Sequence, residues 1–372
     1  DVYKRQEPIR LNGIKFTINA RRLKFELKVP EIYIHRYTVN DDFSSLIAIN
    51  LYRQIMPYFL DITEICQRGN SDCYILVIPI ESIEVINLNN YRSTIFSNPV
   101  HLVISFVNEL LSKLKTLTEG IIKTMLLYND SHLQLKLLQN DKISIFNMQI
   151  FPFDIPIIDL KIDTAFSNLI YSELPSDYSK KLGHSDLDKI KNFWNKYGNI
   201  MTYTPTFLEI AIRRYWRALF RQSILGKIID LIIALESLFG DGGGSIRYKL
   251  ALRASYVIGI NDLDIRKGIL KTLRKLYDLR SKIVHGGILE EEFNKEFMKI
   301  VGESGIIRCE ETNIEDCIWK IRRIIYDALI FYLENLNQGI SKKGDIINYI
   351  DERILKGENI RLLNLNPIRD KR

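Results

Sequence analysis

The segment YDLRSKIVHGG, Tyr277–Gly287, closes a long amphipathic pattern. An arginine stands where the apolar stripe expects an aliphatic residue, and the pattern then stops on a histidine and two glycines. The stripe runs through Ile265, Ile269, Leu273, Leu276, Arg280, Ile283 and Val284. Its steps of three and four mark one face of a helix. A guanidinium cannot shed its charge, so within a packed face it needs an anionic partner. Arg280 is therefore a structural arginine held by a carboxylate, a catalytic group in a cleft, or both.

Glu236 poses the complementary problem. It lies in IIDLIIALESLF, a segment apolar nearly all round, which marks a helix central to its bundle. A carboxylate there calls for a cation, and Arg280 and Arg253 are the natural candidates. His285 follows Arg280 by five residues, about 7.5 Å along a helix and roughly 140° around it. That places it off the apolar stripe, near the face of Asp278 and Ser281. A histidine at a helix C-terminus is often only a favourable cap for the dipole, and Gly286 and Gly287 are sufficient stop signals by themselves.

Outward from this point the chain divides by character. Of its 372 residues 46% are hydrophobic and 26% charged, the composition of an ordinary globular chain of two-domain length. The opening DVYKRQ looks like a translated sequencing adapter and is set aside. Residues 7–200 read as a strand-rich, mixed α/β domain: GIKFTI, RLKFELKV and EIYIHRYTV carry strand residues, and CYILVIPIESIEVINL fits one strand or two with a bend at Pro79. A hairpin is expected around NDK (140–142), and helices near 45–60 and at 100–117. Phe151–Ile162 reads as a connection or edge, and a helix is expected from Ser185 to Gly198. From Thr204 the pattern turns helical. Pro205, Ser245 and Asp264 offer helix starts, and residues 205–336 make a bundle of four or five helices. Residues 337–372 read as a polar tail with one possible short helix. The expected fold class is thus α+β overall, a strand-rich N-terminal region followed by an all-α bundle.

Three blocks of the second half resemble the Apea-like branch of the HEPN superfamily. They are DLIIALESLFG, RYKLALRASYVIGI and LRKLYDLRSKIVHGG, the last carrying an R-x4-H spacing. The resemblance spans roughly 205–336. It implies a helical bundle that forms a homodimer with the R-x4-H segments facing one another, and in many members a ribonuclease that uses no metal. Carried to this chain, Arg280 and His285 are the catalytic pair. Glu236 positions Arg280, Tyr277 lines the cleft, and Ser281 fills the polar position after the arginine. Asp278 and Arg253 are supporting residues.

The chemistry is reasonable on its own terms. When the RNA 2′-hydroxyl attacks the adjacent phosphate, histidine suits the base and arginine suits the charge on the phosphorane. No metal-ligand cluster and no cofactor motif is evident; GDGGGS lacks the lysine of a phosphate loop and reads as a flexible turn. The net charge of +7 permits an anionic partner. Arg213, Arg214, Arg217, Arg221 and Lys227 crowd one stretch without an acid, with Tyr215 and Trp216 between them, and Lys282 adds to a second basic stretch. These residues are the candidate RNA contacts. The expected function is an RNA endonuclease, a toxin or antiviral effector, leaving 2′,3′-cyclic phosphate ends. The alternatives are a non-catalytic dimerisation or sensor module, and a partner of a separate nucleotidyltransferase acting near Tyr277. An antitoxin is a further possible partner. No apolar run approaches the roughly 20 residues of a membrane span, and the four cysteines fit no zinc motif. A cytoplasmic chain with reduced thiols is expected.

Overall fold

The computed structural model describes residues 9–20 and 23–37, six short strands between Cys73 and Lys161, part of 105–127 and, with brief gaps, 184–360. The expected helix at 45–60 and the first arm of the expected NDK hairpin lie outside the described residues. Two compact units are present, one of residues 1–171 with 175–202, the other of 203–372 with 172–174.

In the first unit β1 (Ile9–Ala20) and β2 (Leu23–Tyr37) form an antiparallel hairpin. Its pairing passes from Asn12–Glu31 to Ile14–Val29 and skips Gly13 and Pro30, as expected where proline has no N–H to give. β3 (Cys73–Val77) and β4 (Ser82–Ile86) both pair with β2 at different heights, so the segment around Pro79 forms two strands. Ile14, Phe16 and Ile18 are buried while Lys15 and Asn19 are exposed, the alternation of a one-sided sheet. β5 (Lys142–Ile145) pairs with β8 (Ile158–Lys161), and β6 (Met148–Ile150) with β7 (Phe153–Ile155). The stretch from Phe151 to Ile162 thus supplies strands rather than a mere connection.

Helix α1 (His184–Thr202) runs through Gly198, where the sequence had suggested a stop. The glycine makes room for a neighbour: a Cβ there would meet the Trp194 indole at 2.7 Å. Trp194 is buried, and its Nε1 donates to the Asn12 carbonyl at 2.9 Å, which anchors α1 on β1.

The second unit is helical. It comprises α2 (Thr206–Phe220), α3 (Ile224–Phe239), α4 (Ile246–Ile258), α5 (Leu263–Val284), α6 (Glu290–Gly302), α7 (Ile314–Asn337) and α8 (Lys343–Leu355). α3 packs on α2, α4, α5 and α7, the central place its all-round apolar surface demands. Around its C-terminal end Phe207, Phe239, Phe331 and Tyr332 interlock edge to face, and the Tyr332 hydroxyl donates to the Leu238 carbonyl at 2.6 Å. Asp262, not Asp264, caps α5, accepting from the Asp264 and Ile265 amides at 2.9 and 3.0 Å. Ser245 occupies the first position before α4 in a left-handed conformation, without a side-chain cap. α6 was not anticipated. Its buried Phe293, Phe297, Ile300 and Val301 are spaced for one helical face.

Helix dominates the described residues. Of the expected α+β fold class, the helical bundle is the part they support, and a strand-rich N-terminal region as a whole is not. The stretch expected to be a polar tail is also revised. α8 buries Ile346, Ile347 and Ile350 and packs on α4, so the bundle extends well past residue 336. Ile350→Val is accordingly expected to cost about 1 kcal/mol in a denaturant melt, the usual cost of one methylene removed from a core. A solvated tail would show no change. Cys317 is disulfide-bonded, which corrects the expectation of reduced thiols at that position. Among the described residues no helix is long and apolar enough to cross a membrane.

Candidate functional site

The central helix α3 brings Glu236 to the side of α5 that carries Arg280. Arg280 Nη2 lies 3.6 Å from Glu236 Oε2. The buried stripe of α5 is Gly268, Ile269, Thr272, Leu273, Leu276 and Leu279, while Ile265 and Val284 are exposed. Arg280 therefore flanks the core instead of interrupting it. Its side chain keeps 25% of its surface open to solvent, so an incoming anion can reach it.

The pair is loose in a specific way. At 3.6 Å the guanidinium and carboxylate attract without a short hydrogen bond. Arg280 Nε is buried and has no hydrogen-bond partner. The Tyr277 ring, one turn earlier on α5, lies 5.9 Å from the guanidinium carbon. Burial, followed by the negative charge of the nearby Glu236, pushes its phenol above the ordinary tyrosine value. Glu236 thus acts on both Tyr277 and Arg280, while donors on the arginine remain unspent.

His285 is the C-cap of α5, and its side chain is exposed. Its amide donates to the Ser281 carbonyl at 3.1 Å. The chain then turns through Gly286 at a φ of +68°, and the Gly287 amide returns to the Lys282 carbonyl at 2.8 Å. This left-handed glycine is what lets the helix stop within one residue of His285. Ser281 is half-buried beside this end. Asp278 is taken up by α4, accepting from Arg247 Nη1 at 2.7 and 2.9 Å.

Arg253 does not serve Glu236. It is almost fully buried, and its guanidinium donates to both carboxylate oxygens of Asp351 on α8 at 2.7 Å, to Asp241 at 2.9 Å and to the Phe239 carbonyl at 2.7 Å. Asp241, the acid of GDGGGS, also accepts from Lys249 and from the Gly243 amide. The hydrogen bond from Arg253, with those from Lys249 and Gly243, holds the Asp241 carboxyl well below the usual carboxylate range. The glycine-rich turn is fastened to α4 and through it to α8, so it is less free than its composition suggested.

The candidate RNA contacts are engaged within the bundle. Arg213 pairs with Glu209 at 2.6 Å, Arg214 and Arg217 with Asp230 at 2.7 and 3.6 Å, and Lys282 with Glu296 at 2.6 Å. Lys227 reaches Glu315 at 2.6 Å. Glu209 lies on the same helix as Arg213, and Asp230, Glu315 and Glu296 come from other helices than the α2 arginines, Lys227 and Lys282 they answer. Tyr215 and Trp216 are buried in the core, so neither is placed to stack on a base. Among the described residues no group of three His, Cys, Asp or Glu side chains is arranged to hold a metal ion.

Comparison with protein-family models, with curated proteins and with solved structures returns no match.

Proposed function

We propose that the helical unit is a HEPN-type RNA endonuclease in which Arg280 and His285 carry the chemistry without a metal. The observation that carries this reading is the state of Arg280: reachable by solvent, and held by Glu236 at 3.6 Å without a short hydrogen bond. A purely structural arginine would be expected to bind its carboxylate through two short bonds. An arginine with donors in reserve is prepared for an anion whose charge grows during reaction. The exposed His285 at the end of the same helix supplies a group able to exchange protons near neutral pH.

In the proposed step His285 removes the proton of the 2′-hydroxyl, whose oxygen bonds to the adjacent phosphorus. The bond from phosphorus to the 5′-oxygen breaks, and that oxygen leaves as a 5′-hydroxyl by taking a proton from water, while His285 returns its own to solvent. The products carry a 2′,3′-cyclic phosphate and a 5′-hydroxyl. Arg280 stabilises the added charge on the phosphorane oxygens. The resemblance of residues 205–336 to Apea-like HEPN domains supports this assignment and adds a two-fold homodimer as the assembly in which two such sites face each other. An effector role as a toxin or in antiviral defence, held in check by an antitoxin, follows from the same resemblance.

A second reading has its own observation. Arg213 and Lys282 each pair with a bundle carboxylate of their own, which weakens the general attraction of those positions for a phosphate backbone. That favours a non-catalytic dimerisation or sensor module, including a partner of a separate nucleotidyltransferase. One experiment separates the two. Purified protein in EDTA is expected to cut single-stranded RNA, and a 2′-deoxy residue at the cut site is expected to block cutting there. Absence of any cleavage supports the non-catalytic module, and equal cleavage of the 2′-deoxy substrate rules out the proposed step.

A further inference from the structure

Six residues before Glu236, α3 carries a second carboxylate, and this one is surrounded by more cation than it can use. Asp230 is fully buried. Arg214 Nη1 reaches one of its oxygens at 2.7 Å and Arg221 Nε the other at 2.5 Å, while Arg217 Nε stands 3.6 Å away. Spacings of three and four place the three arginines on one side of α2 and its end. Their side chains are 26–40% exposed, whereas the carboxylate they share is fully buried. Among the described residues Asp230 is the one carboxylate within 4 Å of any of them. Three guanidiniums against one carboxylate leave a charge of +2 at the surface.

The fork of Arg221 is seated by its surroundings. It lies across the first turn of α3 at Gly226, where a Cβ would come within 2.6 Å of its Cδ. Fastening α2 to α3 needs only the two short bonds, one to each oxygen. The third guanidinium adds repulsion and contributes little further to that link. Each guanidinium carries five N–H donors, and a carboxylate has about four acceptor positions, so most donors of this cluster point elsewhere.

We propose that Arg214, Arg217 and Arg221 form a phosphate-binding site that prefers a dianionic phosphomonoester, with Asp230 setting the guanidiniums from below. Planar forks match the terminal oxygens of a phosphate through paired N–H bonds. A phosphomonoester carries a charge of about −1.5 to −2 near neutral pH, close to the surplus of the cluster. A diester, with one negative charge, would leave half of that surplus unmatched. Along α3, Asp230 is about 9 Å and roughly 120° away from Glu236, so this site is separate from the Arg280 pair. It does not depend on whether the chain cleaves RNA.

Titration calorimetry of the full chain with inorganic phosphate tests the assignment. The wild type is expected to bind, and Arg217→Ala is expected to weaken binding about tenfold or more, the effect of one hydrogen bond to a charged group. Arg217 makes the longest contact to Asp230, so its loss should leave the thermal melt nearly unchanged. Arg213→Ala, one turn aside and paired with Glu209, should bind as the wild type does. Should Arg217→Ala unfold, Arg217→Gln keeps the side-chain length without the charge, and the same loss is expected. No binding by the wild type, or unchanged binding in a folded Arg217 variant, overturns the proposal. A 2′-deoxy oligonucleotide with and without a 5′-phosphate then identifies the source. A preference for the phosphorylated form that vanishes in Arg217→Ala assigns the site to a nucleic-acid end. Equal binding of both forms, with Arg217-dependent binding of free phosphate retained, assigns it to a small phosphate ligand.

Discussion

His285→Ala is expected to slow RNA cleavage by roughly 10²–10⁴-fold, the usual contribution of a positioned acid–base group. Stability should stay within about 0.5 kcal/mol of the parent, because the side chain is exposed and its removal leaves no cavity. The backbone bonds that end α5, from His285 to Ser281 and from Gly287 to Lys282, do not involve the imidazole. Cleavage of a labelled single strand, measured beside a thermal melt, reads both quantities. Full activity in a folded His285→Ala chain would refute the mechanism. Arg280→Ala should abolish activity as well, but it also leaves Glu236 and Tyr277 without their cation. Since the pair is partly solvated and 3.6 Å apart, its rupture should cost less than the roughly 3–5 kcal/mol of a fully buried pair. The histidine variant is therefore the cleaner probe of chemistry, and the arginine variant the better probe of how the site is held.

Much of the helical unit is legible in the sequence because its governing signals are local. A helix apolar on every side belongs in the middle, and α3 is packed on four neighbours. The spacing of Glu236 and Arg280 against apolar faces predicts that they meet, and they do. The misjudged details are those in which a neighbour in space decides. Gly198 resembles a stop, yet it is the hollow that admits Trp194. Asp264 reads as the cap in sequence, and backbone geometry selects Asp262 instead. Arg280 seemed to interrupt the stripe because Ile283 and Val284 extend it on paper. The packed face instead rotates onto Leu279, and Val284 is left in solvent.

Charge was the least legible property. A stretch with five cations and no acid looks like a surface for polyanions, but acids outside it answer it. Asp230 comes from α3 and Glu315 from α7, while Glu209 answers Arg213 from α2 itself. Tyr215 and Trp216, interleaved with those arginines, follow the helical period into the core. Sequence distance hides such pairings, because a helix presents each side chain to whatever packs beside it. What survives as surplus charge is local and specific, as at Asp230, where three guanidiniums share one carboxylate.

Arg253 is the extreme of that lesson, with its main partner 98 residues away in a segment that seemed to be tail. Arg253→Ala is expected to cost about 3–4 kcal/mol in urea denaturation. The value sits toward the lower end for a broken buried pair, because Asp241 and Asp351 both reach solvent once released. The loss should also appear in function. Arg253 grips the Phe239 carbonyl and Asp241, directly after the turn of α3 that carries Glu236. Loosening that end should disturb the orientation of Arg280 and, if the proposed ribonuclease chemistry holds, lower cleavage, even though Arg253 lies on a different helix from Arg280 and His285. Acid titration isolates the electrostatic share. Asp241 is held below its ordinary value of 3.8 in the folded chain, chiefly by the Arg253 bond, so its stabilisation is complete above that value. It is lost as the pH falls through the depressed folded value. The stability gap between the wild type and Asp241→Asn should therefore be full near neutral pH and close below about pH 4. A gap that widens on acidification would show that the Arg253 clasp is not what lowers the Asp241 carboxyl.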